Sequence, residues 1–385
     1  MTIMTSNVVR RLYIHFPFCR QRCNYCDFYK EVVSSGINFE NFHHYLKSSL
    51  PLHQKLMHDT EMEWGKLKSL YIGGGTPSLW EQGPSFLASM LESMQISLDQ
   101  KCEFTLEMNP GVGNYTTLKT WMDFGLNRVS VGVQSFNEAN LKNLGRFHTL
   151  ADTIQTLQML KDLKLNYSVD FMIGLPRFSG VSERNIIDEL VKVLEFNPSH
   201  MSVYILTTGK DYIHAKLIPD DAQIEKEYLL VSDFLKAQGW LHYEISNFAR
   251  PEFLADHNVA YWNLESVAAL GPSATGFMKN GDKCVRYKWR PESVEFVRED
   301  LTGNEIRMEE IYLGLRTQKG FSLDVFKENL PHNSVEKLIG IVQGWQKRGL
   351  LAHSAPRIVL NSKGMLLLDS LMNELFWVDQ LFSIQ

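Results

Sequence analysis

The chain has 385 residues, 44% hydrophobic and 22% charged, a composition that suits one large or two ordinary folded domains and excludes disorder and fibrous repeats. Thirty-nine Lys and Arg against forty-four Asp and Glu leave a net charge of −5, so no overall cationic field exists to hold nucleic acid or an anionic membrane. No run approaches the ~18 apolar residues of a membrane helix, and the opening MTIMTSNVVRRLYIHF lacks the apolar centre of a signal peptide. A cytoplasmic protein with no membrane span is expected.

From about residue 10 to 206, β-type runs alternate with helix-type runs. Strands are predicted over 11–15, 67–72, 103–108, 128–133, 167–173 and 201–206, with helical spacing between them over 42–57, 86–94, 150–163 and 186–196. Six βα units in series imply a parallel sheet, curled by right-handed crossovers into a full or partial barrel or spread as an open doubly wound sheet. In each case the site belongs at the strands' carboxyl ends. There the chain carries Gly73-Gly74-Gly75-Thr76-Pro77, Asn109-Pro110-Gly111 and Gly174-Leu175-Pro176, all turn formers. A helix over 222–238 leads into a less regular stretch, 243–277, rich in aromatics and glycine. Beyond about 291, short helices are predicted over 293–301, 305–316 and 334–348, then β-like pieces near 350–353 and 357–360 and a last helix, an order resembling a winged-helix module. The expected division is a core barrel at 1–220, an extension at 221–290 and a C-terminal domain at 291–385.

Of the five cysteines, Cys19, Cys23 and Cys26 crowd into eight residues directly after the first predicted strand. An odd count in a long chain without a secretion signal argues against a disulfide framework. Three thiolates on one short loop can bind three irons of a [4Fe–4S] cube and leave the fourth iron without a protein ligand. A zinc site recruiting His15 as fourth ligand, or plain buried thiols, are the other readings of the same spacing. Cys102, in a strand segment, and Cys284, in a later loop, are read as buried thiols.

The C-x3-C-x2-C loop after a first strand resembles the radical S-adenosylmethionine (radical SAM) superfamily, whose members chelate the cofactor's amino acid end on the open iron and cleave it to a 5′-deoxyadenosyl radical. HFPFC (15–19), YIGGGTPS (71–78), LEMNP (106–110), VSVGVQSF (129–136), LGRFH (144–148) and VDFMIGLP (169–176) are similar, in order, to the branch containing oxygen-independent coproporphyrinogen III oxidase and the HemW haem chaperones. YEISNFA (243–249), HNVAYW (257–262) and MEEIYLGLR (308–316) extend the likeness nearly to the end. Two features favour the chaperones: Phe28 stands where the oxidase has a fourth cysteine, and the H-N-x-x-Y-W element belongs to the chaperone group. The resemblance implies an α/β radical SAM partial (β/α)6 barrel with a mostly helical, winged-helix-like C-terminal domain.

The resemblance also implies roles. Cys19, Cys23 and Cys26 would hold the [4Fe–4S] cluster, with Tyr13 and Tyr25 beside the iron-bound S-adenosylmethionine. Gly74, Gly75 and Thr76 would bring backbone to its amino group, because glycine has no Cβ to block the approach. Glu107, Gln134 and Asp170 would converge on its ribose and amino groups, and Arg146 on its carboxylate. His257 would bind haem iron, with Tyr261 and Trp262 as aromatic surface. Core packing, for the tyrosines and His257, and cap or turn roles, for the three polar residues, are the structural alternatives. The expected function is haem binding and delivery to acceptors such as respiratory cytochromes, with a flavodoxin or ferredoxin as reductant. Peripheral membrane association and a homodimer stay open. Oxidative decarboxylation of coproporphyrinogen III is the second reading and tRNA modification a third, the last disfavoured by the acidic balance.

Overall fold

The computed structural model describes residues 7–33, 39–178, 184–209, 211–324 and 332–376. The chain enters through β1 (Val8–Phe16) and makes the cysteine loop, whose two ends pair as the short parallel strands β2 (Phe18–Cys19) and β3 (Glu31–Val32). Then follow α1 (Glu40–Asp59), β4 (Glu63–Gly74), α2 (Gly83–Ser93), β5 (Leu98–Met108), α3 (Tyr115–Asp123), β6 (Arg128–Gln134), α4 (Glu138–Asn143), α5 (Leu150–Asp162), β7 (Asn166–Ile173), α6 (Ile186–Leu194) and β8 (His200–Ile205). Strands β1, β4, β5, β6, β7 and β8 lie side by side in chain order, each pair parallel. All six predicted strands are present. The sheet is not closed: β1 has β11 (Ala268–Leu270) on its outer edge, and β8 has the antiparallel β10 (Asn247–Ala249), which in turn carries β9 (Leu241–His242). The architecture is therefore a partial (β/α)6 barrel.

Strand periodicity sorts chemistry between the two faces of this sheet. Leu12, Ile14 and Phe16, Leu70 and Ile72, Phe104 and Leu106, Val129, Val131 and Val133, Val169 and Phe171 face the helices and are all fully buried. The alternate positions are polar: Arg11, Tyr13 and His15, Ser69 and Tyr71, Glu103, Thr105 and Glu107, Arg128 and Ser130, Ser168 and Asp170, His200 and Ser202. A parallel sheet with two packed faces ordinarily carries near-continuous apolar runs. Here one face is reserved for polar groups, which suits a lined interior.

The segment after β8 supplies α7 (Asp221–Ala237), β9, β10, α8 (Asp256–Trp262) and β11. Thus the stretch read as irregular holds two strands of the main sheet and a short helix. A second sheet follows, β12 (Thr275–Asn280), β13 (Lys283–Trp289) and β14 (Phe296–Leu301), antiparallel throughout. Two expectations are corrected by it. Residues 293–301, expected as a helix, hold the edge strand β14 over 296–301 and no helix, because Trp289 pairs with Phe296 and Cys284 with Leu301 and this ladder overrides helix-forming Glu and Arg. Cys284, expected in a loop, is buried on β13. The C-terminal part packs α9 (Gly303–Arg316) and helices His332–Lys347, Ser362–Leu366 and Leu368–Phe376 on the small sheet β15 (Phe321–Ser322), β17 (Arg357–Leu360), β16 (Leu351–His353), around Leu315, Trp345, Ile358 and Leu375. This is the winged-helix-like arrangement. Among the described residues no helix is long and apolar enough to cross a membrane.

Candidate functional site

The cysteine loop sits over the carboxyl ends of the strands. Glu31 N–H donates to Pro17 O at 2.7 Å and Val33 N–H to Cys19 O at 2.9 Å, so the loop is tied at its neck. Cys19, Cys23 and Cys26 are unpaired and partly exposed. Donors surround them. Thr76 Oγ1 donates to Cys19 Sγ at 3.6 Å, Arg146 Nη1 to Cys23 Sγ at 3.5 Å, and Lys30 Nζ to Cys26 O at 2.6 Å. Burial pushes the Cys19 thiol up, against the hydrogen bond from Thr76. Hydrogen bonds to sulfur and a nearby positive charge stabilise thiolates and tune an iron–sulfur cluster held by them, so this donor set fits one. A zinc centre with His15 finds less support. Both imidazole nitrogens are engaged, Nδ1 with Tyr13 Oη and Nε2 with Tyr29 O, each at 3.0 Å. Among the described residues no three His, Cys, Asp or Glu stand close enough for a single metal ion.

Facing the loop, β4 ends in glycines whose place only glycine can take. Gly74 has φ +111°, and a Cβ on Gly75 would lie 2.5 Å from Phe18 O. Gly74 N–H donates to Glu107 Oε2 at 2.9 Å, and Tyr71 Oη donates to Glu107 Oε1 at 2.8 Å. One hydrogen-bonded chain links the rest: Cys19 to Thr76, Thr76 to Asn109 Nδ2 (2.8 Å), Asn109 Oδ1 to Arg146 Nη2 (2.5 Å), and Arg146 on to Cys23 and to Tyr25 Oη (3.3 Å). Gln134, the last residue of β6, has φ +68°. Its amide meets Asn109 and Arg146 over Gly132, where a Cβ would stand 2.8 Å from Asn109 Oδ1, 3.0 Å from Gln134 Nε2 and 3.3 Å from Arg146 Nη2. The cleft between Cys23, Thr76, Asn109, Arg146 and His148 is about 20 Å³, room for one water. Asn109 and His148 were not singled out from sequence, although both stand inside quoted motifs, LEMNP and LGRFH.

Asp170 differs from the expectation in depth. It lies three residues before the end of β7, on the inner face, accepting both bonds from Ser130 Oγ at 3.1 Å. Burial, then the charge of Glu107, pushes its carboxyl up to about 7, against hydrogen bonds from Ser202 and Ser130. Glu107 is raised as well, by burial foremost. Tyr13, mid-strand on β1, bonds His15 and packs its ring 6.0 Å from Tyr71.

His257 is not brought to the cysteines. It lies on α8 against the middle of β4 and β5, 2% exposed, with Nδ1 2.8 Å from Ser69 Oγ. Tyr71 and Tyr13, one step nearer the mouth, place their rings 5.1 and 6.4 Å from the imidazole, and Tyr261 places its ring at 5.4 Å. Nε2 has no hydrogen-bond partner. Burial, helped by Arg11 and Arg128, lowers its pKa to about 3, so the ring is neutral. Trp262 stacks under the Arg316 guanidinium, 4.4 Å from its ring centre. Beyond the third cysteine, Cys26, come Asp27 and then Phe28, whose ring is 69% exposed.

The parallel barrel with three free thiols on the loop after its first strand defines a radical SAM protein. Residues 13–190 match the Radical SAM superfamily and residues 301–367 the HemN C-terminal domain. The chain is 31% identical over 369 residues to the heme chaperone HemW of Lactococcus lactis subsp. lactis, covering 91% of this chain and 93% of that one. It is 30% identical to the mitochondrial radical S-adenosyl methionine domain-containing protein 1 of Danio rerio, covering 96% and 87%. The coproporphyrinogen III oxidase HemN from Escherichia coli shares the fold, with a TM-score of 0.78 at 19% identity and 96% and 90% of the chains covered. The chain belongs to the HemW family.

Proposed function

We propose that the protein is a haem chaperone that binds a [4Fe–4S] cluster, S-adenosylmethionine and haem and passes haem to acceptor proteins such as respiratory cytochromes. The observation that carries this reading is the meeting of three unpaired thiols with the Gly74–Gly75–Thr76 turn, in a chain 31% identical over nearly its whole length to a protein named heme chaperone. Cys19, Cys23 and Cys26 hold the cluster, which when bound supplies one-electron chemistry and an open iron for the cofactor's amino acid end. Gly74 and Gly75 admit backbone to the cofactor, Glu107, Gln134 and Asp170 accept its hydroxyl and amino protons, and Arg146 pairs its carboxylate. Tyr13 and Tyr25 pack beside it. His257 supplies the haem ligand. A flavodoxin or ferredoxin serves as reductant, and the protein works in the cytoplasm.

The second reading, oxidative decarboxylation of coproporphyrinogen III, is favoured by the fold shared with that oxidase. Phe28, exposed two residues after Cys26, weighs against it. One anaerobic, cluster-reconstituted preparation tests both. The chaperone retains haem and leaves coproporphyrinogen III unconverted, and Cys19→Ser loses the iron–sulfur absorbance. Turnover of coproporphyrinogen III without haem retention overturns the chaperone reading.

A further inference from the structure

The helix carrying His257 is held in place by a carboxylate from a distant strand. With seven residues, α8 is too short to be helical alone in water. Ala255 precedes it and provides no side-chain cap. The first two amides of α8 instead donate to Glu103 of β5, Asp256 N–H to Oε2 and His257 N–H to Oε1, both at 2.9 Å. Arg128, buried, brings Nε to 3.9 Å from Glu103 Oε2. Arg11, also buried, reaches from β1 to pair with Asp256 and, at 3.1 Å, with Glu265 just beyond the helix.

Docked this way, the imidazole offers no room to a macrocycle. His257 Nε2 bonds nothing, yet it is enclosed by tyrosine rings on the barrel's inner face, and an iron porphyrin ligated there must lie directly against that nitrogen. The seam around it is closed by ion pairs as well as by ring packing. Buried ion pairs are seldom more stable than apolar groups of equal volume, but charges pulled apart into water are rehydrated, which lowers the free energy of opening.

We infer that Glu103 is the latch and positioning residue of the His257 helix: its carboxylate keeps α8 docked and His257 enclosed, and haem binds the molecules in which α8 has come off Glu103. The inference rests on the assignment of haem to His257 made above. The apparent dissociation constant is then the intrinsic one divided by the undocked fraction, so weakening the latch tightens haem binding.

The test uses full-length, cluster-loaded protein, titrated with hemin and followed by the Soret band, with hydrogen exchange of residues 255–263 measured on the same samples. Glu103→Gln is expected to speed exchange in that segment and to lower the apparent dissociation constant on the order of 10-fold, with the wild-type Soret band shape kept. Asp256→Asn, a substitution on a half-exposed side chain that removes one Arg11 pair, is expected to act in the same direction, about 2–3-fold, and decides the matter if Glu103→Gln does not fold. Faster exchange with unchanged or weaker haem binding overturns the latch. A His257→Ala protein that binds haem with wild-type affinity and band shape overturns the ligand assignment, whatever the Glu103 variants do. Haem binding that depends on His257 but is unmoved by Glu103→Gln overturns the latch alone. Failure of all these proteins to take up haem overturns the functional reading and the latch with it.

Discussion

Asp170 shows how one residue's surroundings become a measurable property. Its carboxyl is pushed up to about 7 by burial and by Glu107, so the folded protein binds a proton there that the unfolded chain releases near its ordinary value of about 4. Stability contributed by the protonated form is therefore present below about pH 4 and lost as pH rises through 7. Asp170→Asn keeps a neutral side chain throughout. Relative to wild type it is expected to gain on the order of 3 kcal/mol between pH 4 and pH 8, because each tenfold difference in proton affinity between the folded and unfolded chain is worth ~1.4 kcal/mol. Urea unfolding of both proteins at the two pH values measures it, and a constant difference contradicts the buried pair. The residue type was legible from VDFMIGLP. Its depth below the mouth was not, because the level at which it stands follows from register, Asp170 beside Ser202 of β8 and Ser168 beside Ser130 of β6.

At the scale of elements, the turn after β4 and the entry to the cysteine loop are built as one unit. Gly75 N–H donates to Phe16 O and Thr76 N–H to Phe18 O, both at 2.7 Å. A Cβ on Gly75 meets the carbonyl of Phe18, which is backbone and has nowhere to go. Gly75→Ala is expected to cost about 1–3 kcal/mol and to lower iron and sulfide content per chain after reconstitution, because the loop carrying Cys19 must shift. Gly340→Ala is the control. It lies within the helix His332–Lys347 with open space around it, and gains roughly 0.5–1 kcal/mol from helix propensity with cluster content unchanged. Thermal unfolding and iron analysis separate the two. The glycine run was visible as a strand-ending turn, whereas α3 and the edge strand β14 were not. The first is short and buries only Leu118 and Trp121, and the second owes its form to the ladder with β13.

For the whole molecule, the joint between the barrel and the C-terminal part rests on Arg316. This α9 residue pairs with Glu244 at 2.8 Å, and Glu244 is completely buried. Burial raises the Glu244 carboxyl while Arg316 opposes the shift. The same guanidinium covers Trp262 at the end of α8, so the His257 helix is gripped by Glu103 at one end and by the C-terminal part at the other. Removing the cation strands a carboxylate in the interior. Arg316→Ala is expected to destabilise by ~3–5 kcal/mol, and Glu244→Gln added to it to restore most of that loss. Denaturant unfolding of the single and double variants gives the coupling. Near-additive losses contradict a pair that acts as one unit.

The residues themselves determined what depends on local spacing: three cysteines within eight positions, six alternating strand and helix signals, and turn formers where strands end. These are short-range features, set by chain stiffness and by the alternation of side chains along a strand. Tertiary structure alone decided what those pieces meet. Glu103 reaches α8 across 153 positions and Arg11 reaches Asp256 across 245, contacts that exist only once the parallel strands are in order and in register. The partition of the sheet into an apolar helix-facing side and a polar inner side was written in each strand, but which polar groups share a level follows from register, and register is the product of pairing between segments far apart in the chain.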